Sequence, residues 1–161
     1  MTRSGILARQ ARSPGLLLAI VVAALLAACG TVSRTAPVPS PADFQGIAGD
    51  IVQRGIQISH IVSGDAGCAD QNLGKTAIGF DGVGLDQATP VRVFVYIFRN
   101  RATYERLRAT VDDCARAYVT DPATYESVES SPYVVAGQGP WGASFKTNLR
   151  AAIEEAAGTG N

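Results

Sequence analysis

The stretch VRVFVYIF, residues 91–98, constrains the fold more than any other part of this sequence. Successive side chains of an extended strand point to opposite sides of its sheet. The stretch therefore has an aliphatic side and a mainly aromatic side, namely Val91, Val93, Val95 and Ile97 against Arg92, Phe94, Tyr96 and Phe98. Because both sides are largely apolar, we predict a central strand that is covered on both faces, or one whose aromatic face meets something else.

The aromatic side of this strand, formed by Phe94, Tyr96 and Phe98, is our candidate ligand face. Helices packed on the aliphatic side would already give the sheet one buried face. The three alternating aromatic residues on the other side form a larger apolar surface than a face in contact with water requires. The simpler alternative is that a helix packs on each side of the sheet, so that the aromatic residues belong to the core. The two interpretations differ in whether this face is open or covered.

Apolar residues recur at helical spacing in three segments, which predicts three helices. The first starts at Ser40, a capping residue followed by proline, and ends near Gly55. The second follows Asn100, which can cap it, and places Cys114 on its buried stripe. The third starts near Pro140 and turns four apolar residues inward, namely Phe145, Leu149, Ala152 and Ile153.

Four other segments have the composition of strands, namely residues 56–62, 76–80, 125–130 and 133–136. Gly82, Gly84 and Pro90 predict a loop before the central strand, and Ser131 with Pro132 predicts a hairpin connection. Short connections between consecutive strands favour antiparallel pairing. We therefore predict an α+β domain with a mainly antiparallel sheet of four to five strands and three helices, in the order α-β-β-β-α-β-β-α.

His60 is the single histidine of the chain, and strand spacing puts it on one side with Ile56, Ile58 and Val62. A longer first helix that runs to Val62 is the competing assignment. The expected role of His60 is that of a hydrogen-bonded core or edge residue, because no second histidine is present to build a metal site with it. The surrounding stretch RGIQISHIVSGDAGC resembles segments of uncharacterised secreted bacterial proteins, and this resemblance implies no activity.

The letters G-x-G-x-x-G occur at Gly137, Gly139 and Gly142, between a predicted strand and a predicted helix. A dinucleotide site needs a parallel βαβ unit of about 30 residues, with an acidic residue about 20 positions further on. Only 19 residues follow Gly142, so no second strand can follow, and Pro140 and Trp141 place bulk where the backbone would approach a pyrophosphate. We expect a strand-to-helix turn with Trp141 packed back as a staple, and no nucleotide cofactor.

The N-terminus has the pattern of a secretory signal. Arg3, Arg9 and Arg12 precede the uncharged apolar run 16–28, which is shorter than the about 20 residues of a membrane span. The residues Leu26-Ala27-Ala28-Cys29-Gly30 that follow resemble a bacterial lipobox. That resemblance implies cleavage before Cys29 and attachment of a diacylglycerol to its sulfur, in a protein that carries acyl chains such as palmitate. The alternative is an ordinary signal peptide that is cut near Ala28 and leaves a free Cys29.

The predicted organisation is a signal peptide (1–28), a lipidated cysteine with a Pro-rich linker (29–41), one extracytoplasmic domain (42–158) and a tail (159–161). Removal of the three leader arginines from the 14 basic residues leaves 11, against 14 acidic ones, which argues against a nucleic-acid partner. On the second helix, Arg101 with Glu105 and Arg108 with Asp112 are expected to form weak ion pairs on a solvated side.

Two cysteines remain inside the domain, Cys68 and Cys114. Outside the cytoplasm, an even pair in so small a domain is most simply a disulfide bond, which would constrain the unfolded chain by roughly 4 kcal/mol. The alternative is a reactive thiol with His60 as its partner. The sequence contains no G-x-S-x-G elbow, no metal-ligand pair and no short catalytic motif with paired carboxylates, so we assign no catalytic or metal-binding residue and no cofactor.

Three functional classes remain for a lipoprotein held on the extracytoplasmic side of the cell membrane through the diacylglycerol on Cys29. The favoured one is a binding or interaction module of the cell envelope, because a domain without a catalytic constellation still presents surfaces to ligands. An extracytoplasmic hydrolase with a site near His60 is the alternative, and a purely structural envelope component is the third. Polar groups converging on His60 would favour the enzyme, and an open groove over the aromatic face would favour the binding module.

Overall fold

Five strands form one antiparallel sheet in residues 43–158, the part of the chain that the structure, a computed structural model, describes. The strands are β1 (Gln57–Ser63), β2 (Ala77–Gly84), β3 (Gln87–Ile97), β4 (Tyr125–Ser130) and β5 (Tyr133–Gln138). Their order across the sheet is β1-β2-β3-β5-β4, and every neighbouring pair is antiparallel. The predicted α+β class, the central position of β3 and the β4–β5 hairpin are therefore confirmed.

The described residues contain four α-helices, one more than predicted: α1 (Phe44–Gln53), α2 (Gln71–Gly74), α3 (Arg101–Tyr118) and α4 (Ala143–Ala156). The additional helix, α2, is a single turn and is too short to show helical periodicity. It is capped by Asp70, whose carboxylate accepts hydrogen bonds from the backbone N–H groups of Asn72 and Leu73. Asn100 caps α3 as predicted, by accepting from Thr103 N at 2.9 Å. The predicted cap at Ser40 lies outside the described residues.

The loop predicted at Gly82–Pro90 is wrong in its extent, because β2 and β3 continue into a tight hairpin. β2 runs to Gly84 and β3 begins at Gln87, so only Leu85 and Asp86 connect them. Leu85, the first of the two connecting residues, has a φ of 56°, the positive value that this position takes in a tight hairpin turn. Gly84, the last paired residue of β2, has a φ of 135° where the β2–β3 register shifts. Glycines that predict a loop can thus equally predict a tight hairpin turn.

One side of the sheet, which we call face A, packs against α1 and α4. Its strand residues include Phe80, Val93, Val95 and Val135, all 0% exposed. The helices contribute the predicted apolar stripes, namely Ile47 and Ile51 of α1 and Phe145, Leu149, Ala152 and Ile153 of α4. Burial of each large apolar side chain stabilises the fold by about 1.5–3 kcal/mol, so this two-helix cover is a main source of stability.

The opposite side, face B, is covered by only one long helix, α3, together with the segment 64–76 that links β1 to β2. We call this segment the strap; it contains α2 and buries Ala66 and Leu73 against the sheet. The α3 helix contributes Val111, Cys114 and Ala115. Since α3 alone does not complete the cover, face B depends on the strap in a way that face A does not.

Candidate functional site

The candidate ligand face is covered, which corrects the hypothesis of an open groove. Phe94, Tyr96 and Phe98 are 0–1% exposed. The strap lies over the first two: the Tyr96 hydroxyl donates to Ala66 O at 2.7 Å, and a Cβ added to Gly67 would lie 3.1 Å from the Phe94 ring. The aromatic residues are core because a loop segment completes the layer over them, and the alternating pattern of β3 contains no information about that segment.

The disulfide predicted between Cys68 and Cys114 is present, with a Cα–Cα distance of 5.2 Å. It joins the strap to α3, the two elements that cover face B. Both sulfur atoms are therefore used structurally, and His60 is not the partner of a reactive thiol. Cys29, the predicted lipidation site, lies outside the described residues.

A polar cluster at one end of face B is the most prominent group of charged side chains on β1, β2, β3 and the strap. We call it the Arg92 cluster; it consists of His60, Asp65, Asp81 and Arg92. The guanidinium of Arg92 donates to Asp65 Oδ2 at 2.7 Å, to Asp81 Oδ1 at 3.2 Å and to the backbone oxygen of His60 at 3.0 Å. One side chain thus connects three strands and the strap.

Arg92 fits there because β2 has a glycine beneath it. A Cβ on Gly79 would lie 2.6 Å from Arg92 Nη2 and 2.7 Å from Asp65 Oδ2, so any other residue would displace this ion pair. Burial disfavours the charged guanidinium, but the hydrogen bonds that Arg92 donates to Asp65 and Asp81 outweigh this effect and raise the pKa of Arg92. Arg92 also lies over the Phe94 ring, 5.6 Å from its centroid, and so joins the cluster to the aromatic core.

His60 lies at a bulge on the edge strand. The prediction that it shares one side of the strand with Ile56, Ile58 and Val62 is therefore wrong. The β1–β2 register shifts between Ser59 and Val62, and His60 has a φ of 49°. Ile58 pairs with Gly82 and Val62 with Gly79, residues on opposite sides of β2, so the bulge reverses the side-chain alternation. His60 is accordingly an edge residue, and its side chain is 79% exposed.

His60 and Asp81 are arranged like two of the three members of a hydrolytic triad, the base and the carboxylate that orients it. Nδ1 lies 3.0 Å from Asp81 Oδ2, the relation that orients a catalytic imidazole. The hydroxyl oxygen of Ser59 is 3.4 Å from the same Nδ1 atom, whereas a nucleophile activated by this dyad must approach Nε2. The ring is also mostly in solvent. The described residues near His60 therefore provide an orienting carboxylate without a correctly placed nucleophile.

A second polar group joins α3 to β4. Arg108 contacts Asp112 Oδ1 at 2.6 Å and also pairs with Glu129, while the Tyr125 hydroxyl donates to Asp112. Burial, followed by the hydrogen bond to Asp112, raises the pKa of Tyr125 to about 12. The Arg108–Asp112 ion pair was predicted, but its solvated setting is wrong: both side chains are about three-quarters buried. The Arg101–Glu105 pair is present and exposed, as expected.

The three glycines of the G-x-G-x-x-G letters each lie at a close contact within the fold. A Cβ on Gly137 would lie 2.3 Å from Arg92 O, and one on Gly139 would lie 2.4 Å from Thr124 O. At Gly142 it would lie 2.3 Å from the Asp86 carboxylate. Close contacts within the fold therefore require the spacing that resembles a nucleotide motif.

The N-terminus of α4, where a nucleotide phosphate would bind in such a motif, already has an anionic partner. Asp86, in the β2–β3 turn, accepts hydrogen bonds from Ser144 N and Phe145 N, both at 2.8 Å. These bonds lower the pKa of Asp86, Ser144 contributing most. Trp141 packs back as predicted, with Nε1 donating to Gln138 O at 2.7 Å. The chain thus supplies its own anion to the helix.

Within residues 43–158, no group of three or more histidine, cysteine or acidic side chains is arranged to hold a metal ion. The same residues include no helix with the length and apolarity needed to cross a bilayer. Comparison with known proteins gives no match: no family model fits the chain, and no curated protein or solved structure is significantly similar to it.

Sequence reasoning did not find the Arg92 cluster or the Asp86 cap. Both depend on residues that are distant in sequence, since Arg92 is 27 positions from Asp65 and Asp86 is 58 positions from Ser144. One signal was available for the first: Arg92 is the only charged residue in the otherwise apolar stretch 91–98. A charged residue in a strand that is covered on both faces requires a partner of opposite charge, so the sequence predicts that an acidic side chain lies near Arg92.

Proposed function

We propose that this chain is an extracytoplasmic lipoprotein, attached to the cell membrane through a diacylglycerol on Cys29, whose folded domain is a binding or interaction module. The observation that carries the proposal is the sequence Leu26-Ala27-Ala28-Cys29-Gly30, directly after an uncharged apolar run with a basic leader. More than one acyl chain on a single cysteine gives stable membrane attachment. The prolines of residues 31–41 would hold the domain away from the bilayer as a partly extended linker.

The disulfide supports this location, because disulfides form and persist in oxidising compartments and are rare in the cytoplasm. A binding role is favoured over catalysis because the described residues place no nucleophile at His60 Nε2 and because the His60 ring is open to solvent. Membrane attachment also suits a module that acts by holding a partner near the cell surface. Such a module needs an accessible recognition surface and no reaction centre.

The test of the anchor is replacement of Cys29 by Ser, followed by cell fractionation and labelling with an acyl-chain probe. We expect the unchanged chain to incorporate the probe and to sediment with membranes, and the C29S variant to lose both properties. A matched control is Cys68→Ser, which removes a thiol from the disulfide and leaves the lipobox intact, so it should still be labelled. Labelling and membrane association that persist in C29S would reject the proposal.

An extracytoplasmic hydrolase is the second candidate, and the contact between His60 Nδ1 and Asp81 Oδ2 is the one observation that favours it. In this version, Nε2 of His60 would act as the base toward a water molecule. A panel of activated ester and phosphoester substrates tests it. Turnover that is lost in His60→Ala and in Asp81→Asn, while the disulfide and fold persist, would favour this candidate over the binding module.

A further inference from the structure

The two edges of the sheet differ in how they are protected from further strand pairing. At the β4 edge, Glu126 is paired with Lys146 of α4 and Glu129 with Arg108 of α3, so each helix holds one acidic side chain of the edge strand. The β1 edge has the sequence QISHIVS, which contains no charged residue and no proline. Charges, prolines and bulges are the usual means by which a native edge strand is kept from pairing, and β1 has only the bulge at His60.

Exposed apolar side chains accompany this uncharged edge. All residues of β1 except Ile58 are exposed, and Ile61 and Val62 are 52% and 47% exposed. The bulge at His60 interrupts the ladder toward β2, but the strand keeps its pairing on both sides of the bulge, at Gln57–Ser59 and at Val62–Ser63. The carbonyl of His60 is satisfied by Arg92. The outer side of β1 thus offers two short extended stretches, one on each side of the bulge, with β-branched side chains beside them.

Charge indicates what kind of segment fits there. The Arg92 cluster, which lies on β1, β2, β3 and the strap, has two carboxylates, Asp65 and Asp81, against one guanidinium. Residues 43–158 contain 10 basic and 14 acidic residues. A second copy of this chain would bring two such acidic clusters together, which is unfavourable. The chain's own linker is a poor strand, because Pro37, Pro39 and Pro41 have no N–H group to donate.

We propose that the outer edge of β1 binds an extended, basic segment of a partner protein, which adds to the sheet as a further strand. Backbone hydrogen bonds to β1 would supply the pairing, and Ile61 and Val62 would contact apolar side chains of the segment. A lysine or arginine of the segment would lie beside Asp81 and Asp65. This inference rests on the proposed binding function and names the surface and the partner chemistry.

The experiment uses the full chain in detergent micelles and a labelled, end-blocked peptide of alternating valine and lysine, the same length as β1. Fluorescence anisotropy measures binding, and hydrogen exchange followed by mass spectrometry locates it. We expect saturable binding with slower exchange in residues 57–63, and much weaker binding of the matched valine–glutamate peptide. Slower exchange in residues 125–130 instead would overturn the proposal.

Two variants with the same charge change separate edge pairing from general attraction to an acidic protein. Ile61→Lys places a cation on the β1 edge, and Val52→Lys places one on α1, at a residue that is equally exposed at 51%. We expect Ile61→Lys to weaken binding by at least about tenfold, because like charges repel at the edge, and Val52→Lys to have little effect. Equal weakening by both variants would overturn the inference.

Sedimentation of the full chain in the same micelles tests whether a second copy occupies the edge. A monomer is expected; a dimer that Ile61→Lys dissociates would overturn the proposal of a foreign partner. This outcome is separate from failure of the proposed function. Only the Cys29→Ser experiment can reject the proposed lipid anchor. A lipidated chain that does not bind the valine–lysine peptide would refute the β1 inference alone.

Discussion

Face A and face B of the same sheet are both fully covered, but by different means. Face A is closed by α1 and α4, two helices whose apolar residues can be read from the sequence. Face B is closed by α3 and the strap, which is held by a disulfide, by the Tyr96 hydroxyl and by the Arg92 cluster. A short irregular segment buries little apolar surface, so it needs covalent and polar attachments to stay in place.

The largest expected effect tests whether the two faces are equally core. Phe145 packs on face A and Phe98 on face B, and both are 0% exposed. Replacing either by Ala should lower the free energy of unfolding by roughly 3–5 kcal/mol, measured by urea denaturation. Val52→Ala, at an exposed position of α1, is the control and should have a much smaller effect. If Phe98→Ala is nearly neutral, face B is not core and the ligand-face hypothesis returns.

Loss of the disulfide should distinguish the faces. Replacing both Cys68 and Cys114 by Ala should lower the free energy of unfolding by about 2–4 kcal/mol. Hydrogen exchange should quicken first in residues 64–76 and in the N-terminal part of β2, while α4 keeps its protection. Chemical reduction of the unchanged protein is the control and should give the same pattern. Uniform quickening over both faces would contradict a strap that is specific to face B.

The Arg108 group provides a smaller test of the helix on face B. Arg108→Ala leaves Asp112 and Glu129 without their cation and should lower the free energy of unfolding by about 1–2 kcal/mol. The matched change, Arg101→Ala, breaks an exposed ion pair of the same helix and should leave the urea midpoint unchanged. Equal effects of the two variants would show that partial burial of Arg108 has no energetic consequence.

The smallest expected effect concerns the helix cap on face A and depends on pH. The amides of Ser144 and Phe145 lower the pKa of Asp86 from its ordinary value of 3.8. A lowered pKa in the folded state means that the carboxylate stabilises the fold above pH 3.8 and that this stabilisation is lost as pH falls further. Asp86→Asn should therefore reduce stability at pH 7, and the difference from the unchanged protein should shrink below pH 3.8.

Thermal melts from pH 7 to pH 2 measure this dependence. Asp121→Asn is a suitable control, because Asp121 also accepts a hydrogen bond from a backbone N–H, that of Ala123, but caps the short turn Pro122–Thr124 and not α4. A pH-independent loss in Asp86→Asn would show that the capping bond matters but the charge does not. That result would contradict the electrostatic part of the cap.

The regular part of this fold was predictable because its signals are local. Alternation in residues 91–98 identifies the central strand, helical spacing identifies α1, α3 and α4, and an even pair of cysteines identifies the disulfide. The cover of Phe94 and Tyr96 was not predictable, since the strap has no periodic pattern. Nothing in the sequence QISHIVS marks the bulge at His60. The side-chain alternation that was predicted for this strand therefore fails there.

The candidate site was harder to predict from the sequence than the fold was. The Arg92 cluster brings together residues from three strands and the strap, and no spacing rule connects Asp65, Asp81 and Arg92. The G-x-G-x-x-G letters are the converse case: a familiar spacing is present, but it arises from separate close contacts at Gly137, Gly139 and Gly142. Lipidation of Cys29 stays a prediction, because that residue lies outside the described part of the chain.

The capping of α4 by Asp86 has a consequence for the order of folding. A helix of 14 residues is marginal in water on its own, and Gly142 has no side chain with which to cap it. The β2–β3 hairpin, by contrast, is a local structure that can form within microseconds. The hairpin would then present the Asp86 carboxylate to a C-terminal segment that is still unstructured. The turn, which is synthesised much earlier, would thus help α4 to form, and α4 would be the last element of the domain to fold.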